Sequence, residues 1–247
     1  QRPHTKDYID LIFSNFVELH GDRQYADDAA IIGGIGDIDN KSFMIIGHEK
    51  GRETEEKVRR NFGMPHPEGY RKAKRLMLLA ERFSLPIISF IDTAGAYPGI
   101  EGEERGQSEA IASNLALMSK LKTQILVFIT GEGGSGGALG IGVGDHYSIL
   151  EHATYSVASP EACSSIIWRT AEKAASAAEA MKVSAQELIK IGIVDEIISE
   201  PNGGAHRYYS KTARAIKSSI LENIAKVKAI DMAKLLEMRY QKLLKIG

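Results

Sequence analysis

The sequence predicts an α/β fold built on parallel strands. Two apolar runs, 87–91 and 125–129, have the length and composition of strands that are buried on both faces. Each run leads into a glycine-containing loop, and a helix-forming segment follows: residues 103–121 after the first loop and small residues after the second. Strand, loop and helix repeated in this order imply right-handed crossovers between parallel strands.

Length and composition set limits on the fold and on the class of protein. The chain has 247 residues, of which 43% are apolar, which is enough for one domain with a sizeable core. The formal net charge of -1 gives no global field of the kind that attracts nucleic acid, so nucleic acid is not predicted as a partner. The lone Cys163 excludes an internal disulfide, and no apolar run is long enough to span a membrane.

The chain is expected to form one domain, 1–247, with helical extensions at both ends of its core. The N-terminal extension covers residues 1–30 and begins with a helix over residues 4–20. The core covers residues 31–200, and a C-terminal helical arm that lies outside the core covers residues 205–247. Because the sequence begins with Gln1 rather than Met, a leading segment is expected to precede it.

Local patterns predict two further features of the first half of the core. Residues 31–37 and 42–47 read as paired strands that are joined across Asp39-Asn40, a favourable turn dipeptide. The polar stretch 49–60 carries mixed charges and is interpreted as a mobile surface loop. Both features are structural rather than functional predictions.

A predicted helix over residues 70–83 has four basic residues in its first half. One interpretation is a solvated face opposite the apolar stripe of the helix. The other is a phosphate-binding patch, because cations within two turns repel one another unless an anion lies between them. The four residues are Arg71, Lys72, Lys74 and Arg75.

The most unusual stretch is 131–142, in which seven of twelve residues are glycine. Glycine costs backbone entropy, so this clustering makes sense where the chain turns tightly or where backbone N–H groups approach something closely. A second loop, 93–99, leaves the same end of a strand that is expected to be a neighbour. Both loops can present amides to one crevice, where they would stabilise an oxygen that acquires negative charge.

Side-chain chemistry gives weaker signals. The segment 133–137 matches G-x-S-x-G, with Ser135 as a nucleophile and Asp195 and His206 following in the order of a serine hydrolase. Five residues separate Ser135 from the apolar strand, which counts against this interpretation. Seven scattered histidines and one cysteine offer no ligand spacing, so no metal site is predicted.

At these residues the sequence resembles a known family, the alpha subunits of bacterial and plastid-type acetyl-CoA carboxylase carboxyltransferase. The family usually has proline where Ala94 stands, a departure that concerns the rigidity of the loop more than its amides. The resemblance extends from about Arg2 to the C-terminus. The matching stretches are 90–99, 104–112, 131–142, 159–162 and 201–206.

The resemblance implies a crotonase-like (ClpP/crotonase) fold of repeated ββα units with helical extensions at both ends. It also implies a reaction, the transfer of a carboxyl group from carboxybiotin to acetyl-CoA, which gives malonyl-CoA in the first committed step of fatty acid biosynthesis. Carboxybiotin yields CO2 and a biotin ureido anion, the anion takes a proton from the acetyl methyl group, and the resulting thioester enolate attacks the CO2. Both anions need oxyanion holes, which agrees with amide-bearing loops.

Site residues follow from the resemblance by position. The implied oxyanion holes are formed by backbone amides of Gly95 or Ala96 and of Gly136 or Gly137. The implied biotin pocket includes Gly133, Gly134 and Ala138. The basic helix at Arg71, Lys72, Lys74 and Arg75 would contact the phosphates of CoA.

The resemblance also implies partners. A beta subunit would supply most of the acetyl-CoA site and a zinc ribbon in an α2β2 heterotetramer, and the biotin carboxyl carrier protein and biotin carboxylase would complete the complex. The implied compartment is the cytoplasm, or the plastid stroma in a plant. Two alternatives remain: another crotonase-fold acyl-CoA enzyme such as a hydratase, which would need a carboxylate pair beside the amide loops, and a non-catalytic scaffold.

Overall fold

The computed structural model describes residues 1–246, and eight strands form one sheet there. The strands are β1 Ser14–Glu18, β2 Ile31–Ile38, β3 Lys41–His48, β4 Ile87–Thr93, β5 Ile125–Gly134, β6 His146–Leu150, β7 Thr154–Ser156 and β8 Glu196–Ile198. Their order is β1-β2-β3-β4-β5-β6-β8, with β7 also paired to β5. The pairs from β3 to β8 are parallel, whereas β1, β2 and β3 pair antiparallel.

Helices connect and cover these strands. They are α1 Thr5–Ile12, α2 Thr54–Arg59, α3 Pro67–Arg82, α4 Ile100–Glu104, α5 Gln107–Met118, α6 Ser135–Leu139, α7 Pro160–Trp168, α8 Ala174–Met181, α9 Ala185–Lys190, α10 Tyr209–Lys228 and α11 Met232–Ile246. Helix α3 packs on β2, β3 and α5, and α1 packs on α10. No helix of the described chain is long and apolar enough to cross a membrane.

The two central strands are buried on both faces, as the apolar runs predict. Successive residues of a strand point to opposite faces of the sheet. On one face, the ring of Phe90 in β4 stacks on that of Tyr8 in α1, with centroids 6.0 Å apart. On the other face, the Ser89 hydroxyl donates to the carbonyl of Ile141, 2.6 Å away, in the segment after α6. The sheet therefore has α1 on one side and α6 on the other.

The hairpin prediction is confirmed. Strands β2 and β3 pair in register up to Ile38 and Lys41. Asp39 and Asn40 between them have φ angles of 49° and 62°, the left-handed conformation that a tight two-residue hairpin turn requires.

The prediction of a helix over residues 4–20 is wrong for its second half. Helix α1 ends at Ile12, and β1 follows it directly. The apolar residues there have helical spacing. Their backbone groups instead form hydrogen bonds with β2, in a pairing that places Val17 opposite Ile35. A tertiary contact therefore overrides the local pattern.

Three other segments differ from their predictions. The polar stretch 49–60 contains a helix, α2, rather than only a loop. The helix predicted over 103–121 is divided into α4 and α5 at Gly106, whose φ of 83° is left-handed. Strand β5 continues through Gly134, so the glycines begin inside a strand and not in a turn after it.

The C-terminal arm lies on the core and not outside it, which corrects that prediction. The arm consists of two helices, because α10 ends at Lys228 and α11 begins at Met232. Ile216, Ile220 and Ile224 of α10 are buried in the hydrophobic core. In α11, Arg239 is 1% exposed and makes two hydrogen bonds of 2.8 Å to the Asp145 carboxylate. Gly247, the last residue of the predicted arm, lies outside the described residues.

A polar cluster also fixes α10 to the sheet. The Oε2 atom of Glu196 in β8 accepts hydrogen bonds from Ser148 at 2.7 Å, from Ser219 at 2.6 Å and from Asn223 at 2.9 Å. The hydrogen bond from His146 and those from the two serines lower the pKa of Glu196 from 4.5 to about 2. The ionised carboxylate is thus the form that the fold favours.

We expect Arg239→Met to destabilise the protein by about 3–5 kcal/mol, because it leaves the buried Asp145 carboxylate without its counter-charge. It also removes the donors to the carbonyls of Met118, Leu121 and Thr123. Urea denaturation measures the free energy of unfolding. Lys234→Met, at an exposed position of the same helix, is the matched control. Equal unfolding free energies for the two variants would show that the buried pair does not hold α11.

Glu196 predicts a pH dependence. Its lowered pKa adds stability above the unfolded-state value of about 4.5, and this contribution is lost as the pH falls towards about 2. The free energy of unfolding of Glu196→Gln should therefore fall less steeply over this interval than that of the wild type. Denaturation at a series of pH values measures the slope, with the exposed Glu237→Gln as control. A slope for Glu196→Gln as steep as the control's would contradict the assignment.

Candidate active site

The two amide-bearing loops leave adjacent ends of β4 and β5, as predicted. The parallel pairing of these strands runs regularly to Ile91 opposite Ile129 and then jumps to Thr93 opposite Gly133. Strand β5 therefore contains two more residues than β4 between these pairs. The bulge bends the glycine segment towards the loop that follows β4.

Glycine is required in this bulge by close contact. A Cβ atom on Gly131 would lie 2.2 Å from Oδ1 of Asp92. That oxygen accepts the backbone N–H of Glu132 at 3.0 Å and the Nζ group of Lys50 at 2.8 Å. The bulge is thus fixed by a carboxylate that a larger residue at position 131 would displace.

The loops then touch each other through their backbones. A Cβ on Gly134 would lie 2.1 Å from the carbonyl oxygen of Ala94. A Cβ on Gly137 would lie 2.3 Å from the carbonyl carbon of Gly95 and 2.6 Å from the nitrogen of Ala96. These separations exclude any side chain at either glycine, so the structure brings the four predicted oxyanion residues together.

The four residues differ in how accessible their amides are. The Gly95 N–H donates to the Thr93 hydroxyl at 3.1 Å, and this hydroxyl donates back to the Gly95 carbonyl at 2.7 Å. Gly95 and Gly137 are buried, whereas Ala96 and Gly136 are partly exposed. Gly136 lies in the first turn of α6, where N–H groups have no acceptor within the helix. The geometry thus favours Ala96 and Gly136 as donors to a ligand.

A cavity of about 540 Å³ opens beside α6. It is mainly apolar, and Ser135, Gly136, Tyr155, Val157 and Met181 are among its lining residues. Burial raises the pKa of the Tyr155 phenol, which keeps this group neutral. No carboxylate is among the described lining residues. The two carboxylates beside the amide loops, Asp92 and Glu132, are both paired with Lys50 Nζ, at 2.8 and 2.6 Å.

The three residues predicted for a biotin pocket lie behind this cavity. Gly133 faces the ring of Tyr155, which a Cβ at position 133 would meet at 2.2 Å. Gly134 and Ala138 are buried, and none of the three is among the lining residues. The absence of a side chain at Gly133 allows the Tyr155 ring, which lines the cavity, to pack close to β5. Ser135 and Gly136 line the cavity and form the surface that a ligand would meet.

Ser135 has part of the geometry of a nucleophile elbow. It follows β5 directly and has a φ of 52°, so the objection that five residues separate it from the strand is wrong. Asp195, however, accepts the Nζ group of Lys242 at 2.6 Å and the amide of Tyr147 at 2.8 Å. Among residues 1–246 neither Asp195 nor His206 hydrogen bonds to Ser135. The acid and base of a hydrolase triad are therefore not assembled.

Three of the four basic residues of α3 have partners inside the protein. Lys72 is fully buried and donates to the Asp27 carboxylate at 2.6 Å, which contradicts both a solvated face and a phosphate contact for this residue. Arg71 donates to the Asp22 carboxylate at 2.8 Å. Arg75 donates to carbonyl oxygens of the segment 19–21. Lys74 alone of the four has no described hydrogen bond, so a patch of four phosphate-binding cations is not supported.

Two buried residues that the sequence analysis missed contact this site. His48 Nε2 lies 3.2 Å from the carbonyl oxygen of Gly137, and the Tyr70 hydroxyl lies 3.3 Å from the same oxygen. Both residues are separated from the glycine stretch by more than sixty positions, and each belongs to an apolar pattern that indicates core packing. Nothing in the local sequence could have assigned them to the site.

Metal ligands do not converge at this site or elsewhere in the part of the chain that the structure describes. No group of three or more His, Cys, Asp or Glu side chains could hold an ion there. The polar side chains among the described lining residues of the cavity are the hydroxyl groups of Ser135, Tyr147, Tyr155 and Ser156.

Comparison with known proteins assigns this architecture to a family. The family model described as acetyl co-enzyme A carboxylase carboxyltransferase-like matches residues 1–247. The acetyl-coenzyme A carboxylase carboxyl transferase subunit alpha of Vibrio cholerae is 60% identical over all of this chain and 77% of its own length. The corresponding subunit of Azotobacter vinelandii is 58% identical over all of this chain and 78% of its own length.

Solved structures show the same fold at low sequence identity. Transcarboxylase 12S, crystallised with methylmalonyl-coenzyme A and methylmalonic acid bound, aligns with a TM-score of 0.70 and 18% identity. The alignment covers 88% of this chain and 42% of the transcarboxylase chain. This likeness confirms the predicted crotonase-like α/β fold. The family model and the two relatives show that this chain belongs to the family of acetyl-CoA carboxylase carboxyltransferase alpha subunits.

Proposed function

We propose that this chain binds the biotin side of the carboxyl transfer and that the amides of Ala96 and Gly136 stabilise the charge that develops there. Family membership gives the overall reaction, in which acetyl-CoA is carboxylated to malonyl-CoA for fatty acid biosynthesis. The observation that carries the proposal is the backbone contact of Gly137 with Gly95 and Ala96 beside an apolar cavity.

The cavity suits the biotin head group. Its volume of about 540 Å³ lies within the range of small-ligand pockets. An apolar lining fits the fused rings and aliphatic chain of biotin, and the absence of a carboxylate from the described lining avoids repulsion of a ureido anion. Carboxybiotin supplies the carboxyl group, and its carbonyl oxygen is where amide donors are needed.

The role of the chain is to orient donors and exclude water. A preorganised amide in a dry site does not reorganise during the reaction, and one such donor is typically worth about 3 kcal/mol of transition-state stabilisation. The Thr93–Gly95 hydrogen bonds fix the first loop. The Gly137 contact then fixes the second loop relative to the first.

The acetyl-CoA side belongs to a partner in this proposal. An alpha subunit implies a beta subunit, and the transcarboxylase chain, of which this chain covers only 42%, has room for a second half of this kind. We infer that the beta subunit brings the acetyl-CoA site and a zinc ribbon into an α2β2 assembly. The biotin carboxyl carrier protein delivers biotin, biotin carboxylase recharges it, and the compartment is the cytoplasm or the plastid stroma.

The first test is reconstitution. Malonyl-CoA-dependent carboxylation of biocytin, the reverse reaction, should be absent with this chain alone and present after mixing with a matching beta subunit, because half of the site is missing from each. Activity of the isolated chain would indicate a self-sufficient crotonase-fold enzyme. Inactivity of a mixture whose assembly is verified by size-exclusion chromatography would contradict the proposal.

The second test compares two neighbouring positions in the assembled enzyme. Gly136→Val adds a side chain at a residue that lines the cavity, so the rate of biocytin carboxylation should fall by about 100-fold or more. Its Cβ would meet only Ile111, at 3.6 Å, so the fold should persist. Ser135 lines the same cavity, and Ser135→Ala adds no volume there. The rate of biocytin carboxylation by this variant should stay within about threefold of wild type.

The same pair of variants discriminates between the alternatives. A serine hydrolase would lose its activity with Ser135→Ala. A non-catalytic scaffold would tolerate Gly136→Val as long as the complex assembles, which chromatography of the mixture monitors. The first result would contradict the proposed carboxyl transfer, and the second would contradict the proposed role of the Gly136 amide.

A further inference from the structure

We infer that His48 and Tyr70 are positioning residues for the reaction: by donating to the Gly137 carbonyl from beneath α6, they hold the Gly136 amide in place. This inference rests on the proposed function of Gly136. Neither residue is described as reaching the cavity, so each acts through the backbone and not on a substrate.

The Gly137 carbonyl needs an outside donor because α6 does not supply one. In a longer helix this oxygen would accept the N–H of Ile141. Here the Ile141 N–H donates to Ala138 at 3.4 Å, while the Gly140 N–H donates to Gly136 at 3.0 Å. The His48 and Tyr70 donors, at 3.2 and 3.3 Å, take the place of the missing helical bond.

Helix α6 cannot hold this geometry by itself. It has five residues, and a helix this short is unstable in isolation. Two of them, Gly136 and Gly137, also have the largest intrinsic backbone freedom. The orientation of the Gly136 amide must therefore come from tertiary contacts, of which the bonds to Gly137 are the nearest in sequence.

The protonation state of His48 allows it to donate a hydrogen bond to the Gly137 carbonyl. The ring is 1% exposed, and burial lowers the pKa of His48 to about 4, so the imidazole is neutral and carries one N–H. The Gly137 carbonyl oxygen can only accept, so its hydrogen bond with this ring requires the proton on Nε2.

Asn114 extends the same support. Its side-chain amide donates to the carbonyls of Tyr70 and Gly140, both at 2.9 Å. A Cβ on Gly140 would lie 2.4 Å from the Tyr70 ring, so this ring packs directly against the end of α6. Tyr70 is thereby held in place while it donates to Gly137.

The test is steady-state kinetics of biocytin carboxylation by the assembled alpha–beta complex. His48→Leu fills a similar volume without a donor, and we expect kcat to fall about 10- to 100-fold with the KM values for biocytin and malonyl-CoA unchanged. His48→Gln can donate from an equivalent position and should recover most of kcat. Ile46→Val, on the same face of β3, removes a buried methyl group but no hydrogen bond and is the control for core packing.

Gly136→Val in the same assay separates this inference from the proposed function. If His48→Leu retains kcat while Gly136→Val is inactive, the positioning role is wrong and the function of Gly136 stands. If both retain kcat, both proposals are wrong. A loss of assembly with His48→Leu, or a failure of His48→Gln to recover kcat, would indicate a structural role only. Should His48→Leu not fold, Tyr70→Phe removes the second donor, and an unchanged kcat would overturn the inference.

Discussion

The arrangement of the candidate site depends on one close contact, that of the Gly137 backbone with the peptide between Gly95 and Ala96. Residues on loops after two different strands can approach this closely only without side chains at the point of contact. The bulge in β5 provides the necessary bend, and the parallel register of β4 and β5 sets the starting positions of both loops. The amides are thus placed by the sheet, which is the most rigid part of the fold, and not by the loops alone.

The same contact explains why buried polar groups cluster beneath α6. A glycine-rich turn allows two backbones to approach closely. It lacks the side-chain packing and helix propensity that would otherwise fix its conformation. His48, Tyr70 and Asn114 compensate with directional bonds from β3, α3 and α5. These three residues lie far apart in sequence, so the site becomes ordered only when the core around it has formed.

The sequence predicts the parts of this arrangement that depend on local pattern. Strands β4 and β5, helix α3 and the Asp39-Asn40 hairpin follow from apolar periodicity and turn chemistry, and the two amide loops follow from glycine content. Long-range pairing decides the rest. Val17 fits the helical spacing of its neighbours but lies in a strand because β1 pairs with β2. Lys72 falls in a run of basic residues that resembles a surface patch, but it is buried and donates a hydrogen bond to Asp27, 45 positions away. Which amides are accessible depends on the Thr93 hydroxyl, a detail of loop conformation.

A consistent electrostatic environment links these features to the proposed chemistry. Burial lowers the pKa of His48 to about 4 and raises that of Tyr147 to about 12, and it raises those of Tyr70 and Tyr155 as well. These four titratable groups around α6 are therefore neutral at physiological pH, so in the proposed mechanism they add no charge of their own to the site. In such surroundings fixed amide dipoles are more effective than in water, because no solvent has to reorient around them. An ionised side chain in the cavity would weaken this advantage, which is a physical reason for the proposed site to rely on backbone donors instead.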